Sequence, residues 1–185
     1  SRRQRQMCIR DRRLLGGDIS LLPSYEEAGT VYRDEAGKAV APLEYFKEEG
    51  WNAIRVRLFV EPDRASAEHK GEGVCQDLDY VMKLGQRIKK AGYQFMLDFH
   101  YSDTWADPGK QFMPYRWKNS GVASLPDSVY QYTRKSLEVM VKAGACPDLI
   151  QVGNEITNGM MWPAAKVEPL GKDNWDILVK LLESG

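Results

Sequence analysis

Asn154 and Glu155 can do chemistry together, and they close an apolar run, Gln151-Val152-Gly153-Asn154-Glu155-Ile156. A carboxylate so placed can exchange a proton with a reacting group while the adjacent amide hydrogen-bonds a substrate hydroxyl. Chemistry of this kind sits at the carboxyl ends of parallel strands in α/β barrels. Two residues alone make a weak motif. It gains weight from a second apolar run, Phe95 to Phe99, which leads into His100-Tyr101-Ser102-Asp103-Thr104-Trp105-Ala106-Asp107-Pro108.

Elements that repeat along the chain must bring those two stretches to one end of a sheet. The pattern is strand then helix, four times. Strands are expected at Leu14–Ser20, Ala53–Val60, Gln94–His100 and Asp148–Glu155. A long loop follows the first strand. Pro42 then opens a helix that packs Leu43 and Phe46, and Gly50 stops it. Gly71 and Gly73 mark the next loop, after which Leu78, Val81, Met82, Gly85 and Ile88 keep helical spacing up to Gly92. A Pro- and aromatic-rich loop runs to about Ala123. Ser124-Leu125-Pro126-Asp127 reads as a capped helix start, with Val129, Thr133, Leu137, Met140 and Val141 inward and Gly144 at the end. A last helix holds Trp175, Ile177, Leu178, Leu181 and Leu182.

Helices between all four strands imply parallel pairing with right-handed crossovers. Parallel strands covered on both faces are almost wholly apolar, and these are not. Ile54, Val56 and Leu58 alternate with Arg55 and Arg57. Phe95, Leu97 and Phe99 alternate with Asp98 and His100, and Ile150 and Val152 with Gln151 and Glu155. Asp18 and Ser20 share one face of the first strand. Polar faces that converge inside a barrel make a charge-paired lumen, where isolated charges would cost several kcal/mol each. An antiparallel sheet with one wet face also alternates, but the intervening helices argue against it.

Composition sets the remaining bounds. At 185 residues, 43% hydrophobic and 28% charged, the chain has the make-up of an ordinary globular domain with a sizeable core. No apolar run approaches the roughly 18 residues of a membrane span. Residues 1–13 hold six Arg against one Asp, a charge of +5, so beneath a net charge of zero the rest is −5. An acidic body with a short basic start does not suit nucleic acid. The basic stretch lacks the apolar core and cleavage site of a signal peptide, and it lacks helix or strand periodicity. It reads as a leader foreign to the fold, leaving residues 14–185 as the folded part; a nucleic-acid-binding arm is the alternative. Of the three cysteines, Cys8 belongs to that leader, and Cys75 and Cys146 fall at opposite ends of the expected barrel, too far apart for a disulfide. No zinc spacing occurs.

The set assembled so far resembles glycoside hydrolase family 53, the endo-β-1,4-galactanases that cut type I arabinogalactan. The matching pieces are Gly17-Asp18-Ile19-Ser20, Ile54-Arg55-Val56-Arg57-Leu58, Asp98-Phe99-His100-Tyr101-Ser102-Asp103, Trp105-Ala106-Asp107-Pro108, Gln151-Val152-Gly153-Asn154-Glu155 and Asn158-Gly159-Met160-Met161-Trp162-Pro163. The resemblance covers about residues 15–165. The Asn-Glu pair alone is shared with many retaining barrel glycosidases; the longer runs are specific. The resemblance implies an α/β fold, the TIM (β/α)8 barrel, here limited to about its first four βα units and so to its amino-terminal half. It also implies a retaining mechanism with Glu155 as acid/base. The family's nucleophile is a Glu on the seventh strand, so it is expected to be absent from this chain, and the polypeptide alone is expected to be inactive.

The resemblance further implies a β-1,4-galactan substrate, for which Asn154, His100, Asp103, Trp105, Asp107, Trp162 and Arg57 are the candidate contacts. Asn154 would meet the sugar 2-hydroxyl; otherwise it caps the strand end. Trp105 and Trp162 offer platforms for sugar rings and Asp103 and Asp107 accept from hydroxyls; otherwise these residues only pack and pin the loops. His100 binds hydroxyls, orients a carboxylate, or is a satisfied core histidine. A metal on His100 and Asp103 lacks a third ligand. Arg57 reads as scaffold near the nucleophile's place, with Arg55 beneath it, and a Glu155–Arg57 ion pair is the structural alternative for Glu155. No cofactor is expected. Calcium occurs in some of the family, but these residues form no calcium loop. Secretion follows from a cell-wall substrate, by analogy alone. Two other functions compete: a non-catalytic half-barrel that binds sugar weakly or self-associates through its open edges, and another retaining glycosidase acting on cellulose or mannan.

Overall fold

A computed structural model describes residues 13–168 and 174–185. All of the basic segment except Arg13, including Cys8, lies outside the described residues. Strands β1 (Gly16–Asp18), β2 (Ala53–Leu58), β3 (Gln94–Phe99) and β4 (Leu149–Val152) form one sheet in sequence order. All three pairings are parallel, with Gly16 beside Ala53, Ala53 beside Gln94, and Met96 beside Leu149. The antiparallel alternative is thereby removed.

Helices make the crossovers, α1 (Leu22–Glu27) and α2 (Pro42–Glu48) between β1 and β2, α3 (Ala67–Gly71) and α4 (Leu78–Lys90) between β2 and β3, and α5 (Leu125–Lys142) between β3 and β4; α6 (Trp175–Ser184) follows the last strand. The long loop expected after β1 contains α1. A short antiparallel pair, β5 (Gly159–Met160) with β6 (Ala165–Lys166), follows β4 and was not foreseen from the pattern. Local chemistry explains α4 well. The Asp77 carboxylate accepts the Tyr80 N–H at 2.8 Å as its cap, and Arg87, Lys89 and Lys90 face the negative end of the helix dipole. Gly85 lets α4 lie against the sheet, since a Cβ there would come within 2.8 Å of the Phe95 ring.

The core lies between the sheet and these helices. Ile54, Val56, Leu58, Phe95, Leu97 and Phe99 are fully buried against Val81, Leu84, Ile88, Val129 and Met140. Each such side chain stabilises the fold by roughly 1.5–3 kcal/mol. This is the apolar face that the alternation predicts, and the opposite face carries the charges.

Four expectations need correction. The strands end earlier than the apolar runs: β4 stops at Val152 because Gly153 (φ 80°) and Glu155 (φ 48°) turn the chain. Val141 is 56% exposed; the buried face of α5 runs through Val129, Thr133, Ser136 and Met140 instead. Ser124 does not cap α5, because its hydroxyl donates to the Gly121 carbonyl at 2.8 Å. Ile150, expected beneath helices, is 42% exposed on the edge strand, since α6 packs on α5 and on β5 and β6.

Candidate active site

The polar face of the sheet is organised by two arginines from β2. Arg55 reaches Asp18 Oδ2 at 2.7 Å through Nη1, and its Nη2 donates to both the fully buried Asp98 carboxylate and Asn154 Oδ1, the latter at 2.8 Å. Arg57 Nη2 donates to Asp18 Oδ1 at 2.7 Å. Burial pushes the Asp18 carboxyl upward, but hydrogen bonds from Arg57 and Ser20 and the Arg57 charge outweigh it, holding the group below its ordinary 3.8. Two guanidiniums thus face Asp18 and one faces Asp98, an arrangement that offsets part of the cost of drying them.

Asn154 is locked to this floor. Its Oδ1 accepts from Arg55 and from Gln151 Nε2 at 3.3 Å, and its Nδ2 donates to the Ala106 carbonyl at 2.7 Å. Glu155 differs. It is exposed, adopts a left-handed backbone (φ 48°, ψ 46°) and makes no ion pair among the described residues. A left-handed non-glycine residue costs roughly 1–2 kcal/mol, so something must hold it there. The nearest brace is Gln111, 2% exposed, whose Nε2 lies 2.8 Å from the Asn154 carbonyl and 3.3 Å from that of Glu155. The Glu155–Arg57 ion pair is not formed, since Arg57 pairs with Asp18.

His100 is buried, and its Nδ1 accepts the Ala106 N–H at 3.2 Å. The ring proton therefore sits on Nε2. That atom is 3.1 Å from Asp98 Oδ2 but poorly aligned, and it has no hydrogen-bond partner among the described residues. Trp105 carries the Arg57 guanidinium over its ring at 4.4 Å and meets Phe59 edge-on at 5.3 Å. Asp107 Oδ1 accepts from the N–H groups of Gly109 (2.8 Å) and Lys110 (3.1 Å), fixing a turn.

Glu155, Asn154, Arg57, His100, Trp105 and Asp107 all line one open cavity of about 730 Å³. Arg55, Gln151, Lys110 and Glu72 line it too, and Asp98 lies beneath. Asp103 and Trp162 are not brought there. Both Asp103 oxygens accept backbone N–H groups, from Glu61 at 2.9 Å and Tyr115 at 2.7 Å. Burial raises its pKa, and those hydrogen bonds only partly offset the effect. Trp162 donates its indole N–H to the Asn158 carbonyl at 2.8 Å and packs beneath Lys166. A second cavity of about 630 Å³, between the α1–α2 segment and α4, holds none of the sequence candidates. Among the described residues no group of three or more His, Cys, Asp or Glu is arranged to hold a metal ion.

Arg55 and Gln111 are the residues that sequence reasoning undervalued. Arg55 was visible as the neighbour of Arg57 on one strand face. Gln111 gave no signal, because it lies in a loop without periodicity and acts through backbone carbonyls.

A four-stranded parallel βα sheet with a cleft at the carboxyl ends of its strands has the architecture of the α/β-barrel class, in which that end carries the chemistry. The family model for glycosyl hydrolase family 53 matches residues 14–185, and the chain belongs to that family. It is 36% identical over 170 residues to the probable arabinogalactan endo-beta-1,4-galactanase A of Aspergillus terreus, covering 92% of this chain and 45% of that protein. It is 40% identical over 152 residues to the protein of the same description from Neosartorya fischeri, covering 82% and 40%. Among solved structures, the GH53 catalytic domain of Ignisphaera aggregans superposes with a TM-score of 0.81 at 35% identity, covering 92% of this chain and 46% of that one. One of two fungal beta-1,4-galactanases superposes at 0.78 with 34% identity, covering 91% and 46%. The chain spans about half the length of the relatives it matches, and its four strands are a truncated barrel of their type.

Proposed function

We propose that this chain carries the acid/base side of a retaining, endo-acting β-1,4-galactanase. The reading rests on one observation: Glu155 stands without an ion pair among the described residues at a cleft shared with Arg57, His100 and Trp105, next to an Asn154 whose side chain is fixed. In the first step Glu155 protonates the leaving glycosidic oxygen while a second carboxylate attacks the anomeric carbon. In the second it removes a proton from water as the glycosyl-enzyme bond breaks. Asn154 keeps one Nδ2 hydrogen for the sugar 2-hydroxyl. Trp105, His100 and Asp107 contact the chain on either side of the cut, and no cofactor takes part.

The attacking carboxylate must lie about 5–5.5 Å from Glu155. We place it outside residues 14–185, because the resemblance assigns it to a seventh strand and these residues contribute four. The 185-residue polypeptide then has no galactanase activity of its own. An enzyme acting on a wall polymer works outside the cell. The test is an assay on linear galactan, with cellulose and mannan alongside. It compares this polypeptide with one carried to the full length of its relatives. Turnover is expected of the long form only, on galactan, and lost on Glu155→Gln. Robust activity of the short form would refute the reading, and preference for cellulose or mannan would move it to another glycosidase.

A further inference from the structure

Gln111 is buried in the loop that follows β3, yet its contacts are made to the end of β4. Its Nε2 lies 2.8 Å from the Asn154 carbonyl, 3.3 Å from the Glu155 carbonyl and 3.2 Å from the Asp107 carbonyl. Three carbonyl oxygens around one atom leave no doubt over which end of the amide points there, since an amide oxygen would be repelled by all three. The backbone carbonyl of Gln111 in turn accepts the Trp162 N–H at 2.6 Å. One residue therefore ties the β3 loop to both sides of the turn that carries Glu155.

That turn needs a tie. Glu155 is left-handed and follows Gly153 at φ 80°, so the ladder of β4 no longer directs its side chain. Asn154 is held by its side chain from Arg55, Gln151 and Ala106, but Glu155 has no side-chain partner among the described residues. The peptide units on both sides of the Glu155 Cα are the ones whose oxygens Gln111 grips. Fixing those two planes fixes φ and ψ between them, and with them the direction in which the carboxyl leaves the backbone.

We infer that Gln111 is a positioning residue for proton transfer: it aims the Glu155 carboxyl without touching substrate. The inference rests on the reading of Glu155 as acid/base. It separates two substrate classes. A galactan bond leaves as a poor alkoxide and needs the aimed proton. An aryl galactoside with a strongly acidic phenol needs none for bond cleavage, though water attack in the second step still needs the base.

The experiment uses the enzyme at the full length of its relatives, with Gln111→Met, Gln111→Asn and Glu155→Ala variants. Gln111→Met keeps length and burial but cannot donate. Its kcat on linear galactan is expected to fall at least tenfold, with KM within about twofold; the melting temperature should drop by a few degrees, because buried carbonyls lose their donor. Its release of dinitrophenol from dinitrophenyl galactoside in the pre-steady-state burst should stay near wild type. Added azide, which attacks without base help, should restore steady-state turnover of that aryl substrate in both Gln111→Met and Glu155→Ala. Gln111→Asn, which retains the donor on a shorter stem, should recover part of the galactan activity. Gln111→Met at wild-type kcat on galactan, or losing burst and galactan cleavage in equal proportion, would overturn the positioning role. Failure of azide to rescue Glu155→Ala would instead remove the acid/base reading itself.

Discussion

The floor and the rim of the cleft are built on opposite principles. On the floor, Arg55 and Arg57 pair with Asp18 and Asp98, and Asp98 is wholly buried, with its Oδ1 lacking a hydrogen-bond partner among the described residues. On the rim, Glu155 is exposed and unpaired among the described residues, on a turn that leaves the sheet. The two carboxylates differ less in chemistry than in what their neighbours demand of them. A charge tied into a fork of guanidiniums has spent its reactivity on structure. Glu155 lines the cleft without an ion pair among the described residues, which is why the proposed reading gives it, and not Asp98, the proton-transfer role.

The largest effect that can break this contrast is on the rim. Glu155→Gln in the full-length enzyme should lower kcat on galactan by about 10²–10⁴-fold, the usual weight of a general acid–base group. Stability should change by no more than about 0.5 kcal/mol, as for an exposed side chain without partners. A variant that loses activity and melts early would place Glu155 on the structural side instead.

Arg55→Met tests the floor and should do the reverse in kind. Asp98 would be left buried without its cation, and Asn154 would lose its main anchor. Removing one partner of a buried pair costs about 3–5 kcal/mol; with a quarter of Arg55 exposed, about 2–3 kcal/mol is expected from denaturant titration. Activity should fall too, because Asn154 drifts. An unfolding midpoint equal to wild type would show that the floor is not under load.

How much of this could be read from the chain depends on periodicity. Arg55 and Arg57 among Ile54, Val56 and Leu58 announce a strand with one polar face, and that face is where they lie. Asn154 and Glu155 end a run that could only be a strand, so their neighbourhood was legible. The conformation of Glu155 was not: the apolar run predicts extended backbone through residue 155, and two left-handed residues bend it away. The placement of Asp103 and Trp162 was hidden for a related reason. Their types suit sugar binding, but loop residues are placed by tertiary contacts that no spacing reports, and both make loop-holding hydrogen bonds away from the cleft that Glu155 lines. Gln111 stayed hidden on the same ground.

A smaller effect concerns acid. Asp18 titrates below its ordinary 3.8 in the folded protein, so its contribution is present above that value and drains away as pH falls through the lower, folded value. Wild type should therefore lose stability below about pH 4 more steeply than Asp18→Asn, which is less stable at neutral pH but has no such group to protonate. Equal acid slopes in urea titrations from pH 5 downward would mean that the floor's charge pairing is not what sets the acid limb.

The smallest expected effect lies at the seam between the two regions. The Arg57 guanidinium belongs to the floor through Asp18, yet it sits 4.4 Å from the centre of the Trp105 ring, which belongs to the rim. Stacking of this kind contributes about 0.5–1 kcal/mol where water still reaches it, and Arg57 is about one-quarter exposed. A double-mutant cycle with Arg57→Met and Trp105→Leu should return a coupling of that size in stability. The same cycle in KM for galactan decides whether the seam matters to binding. Coupling in both would mean that the floor presents the Trp105 face to the substrate. Coupling in stability alone would mean that Trp105 shields the guanidinium and leaves sugar contacts to the other rim residues. No coupling in either would separate floor and rim completely, and the two could then be altered independently.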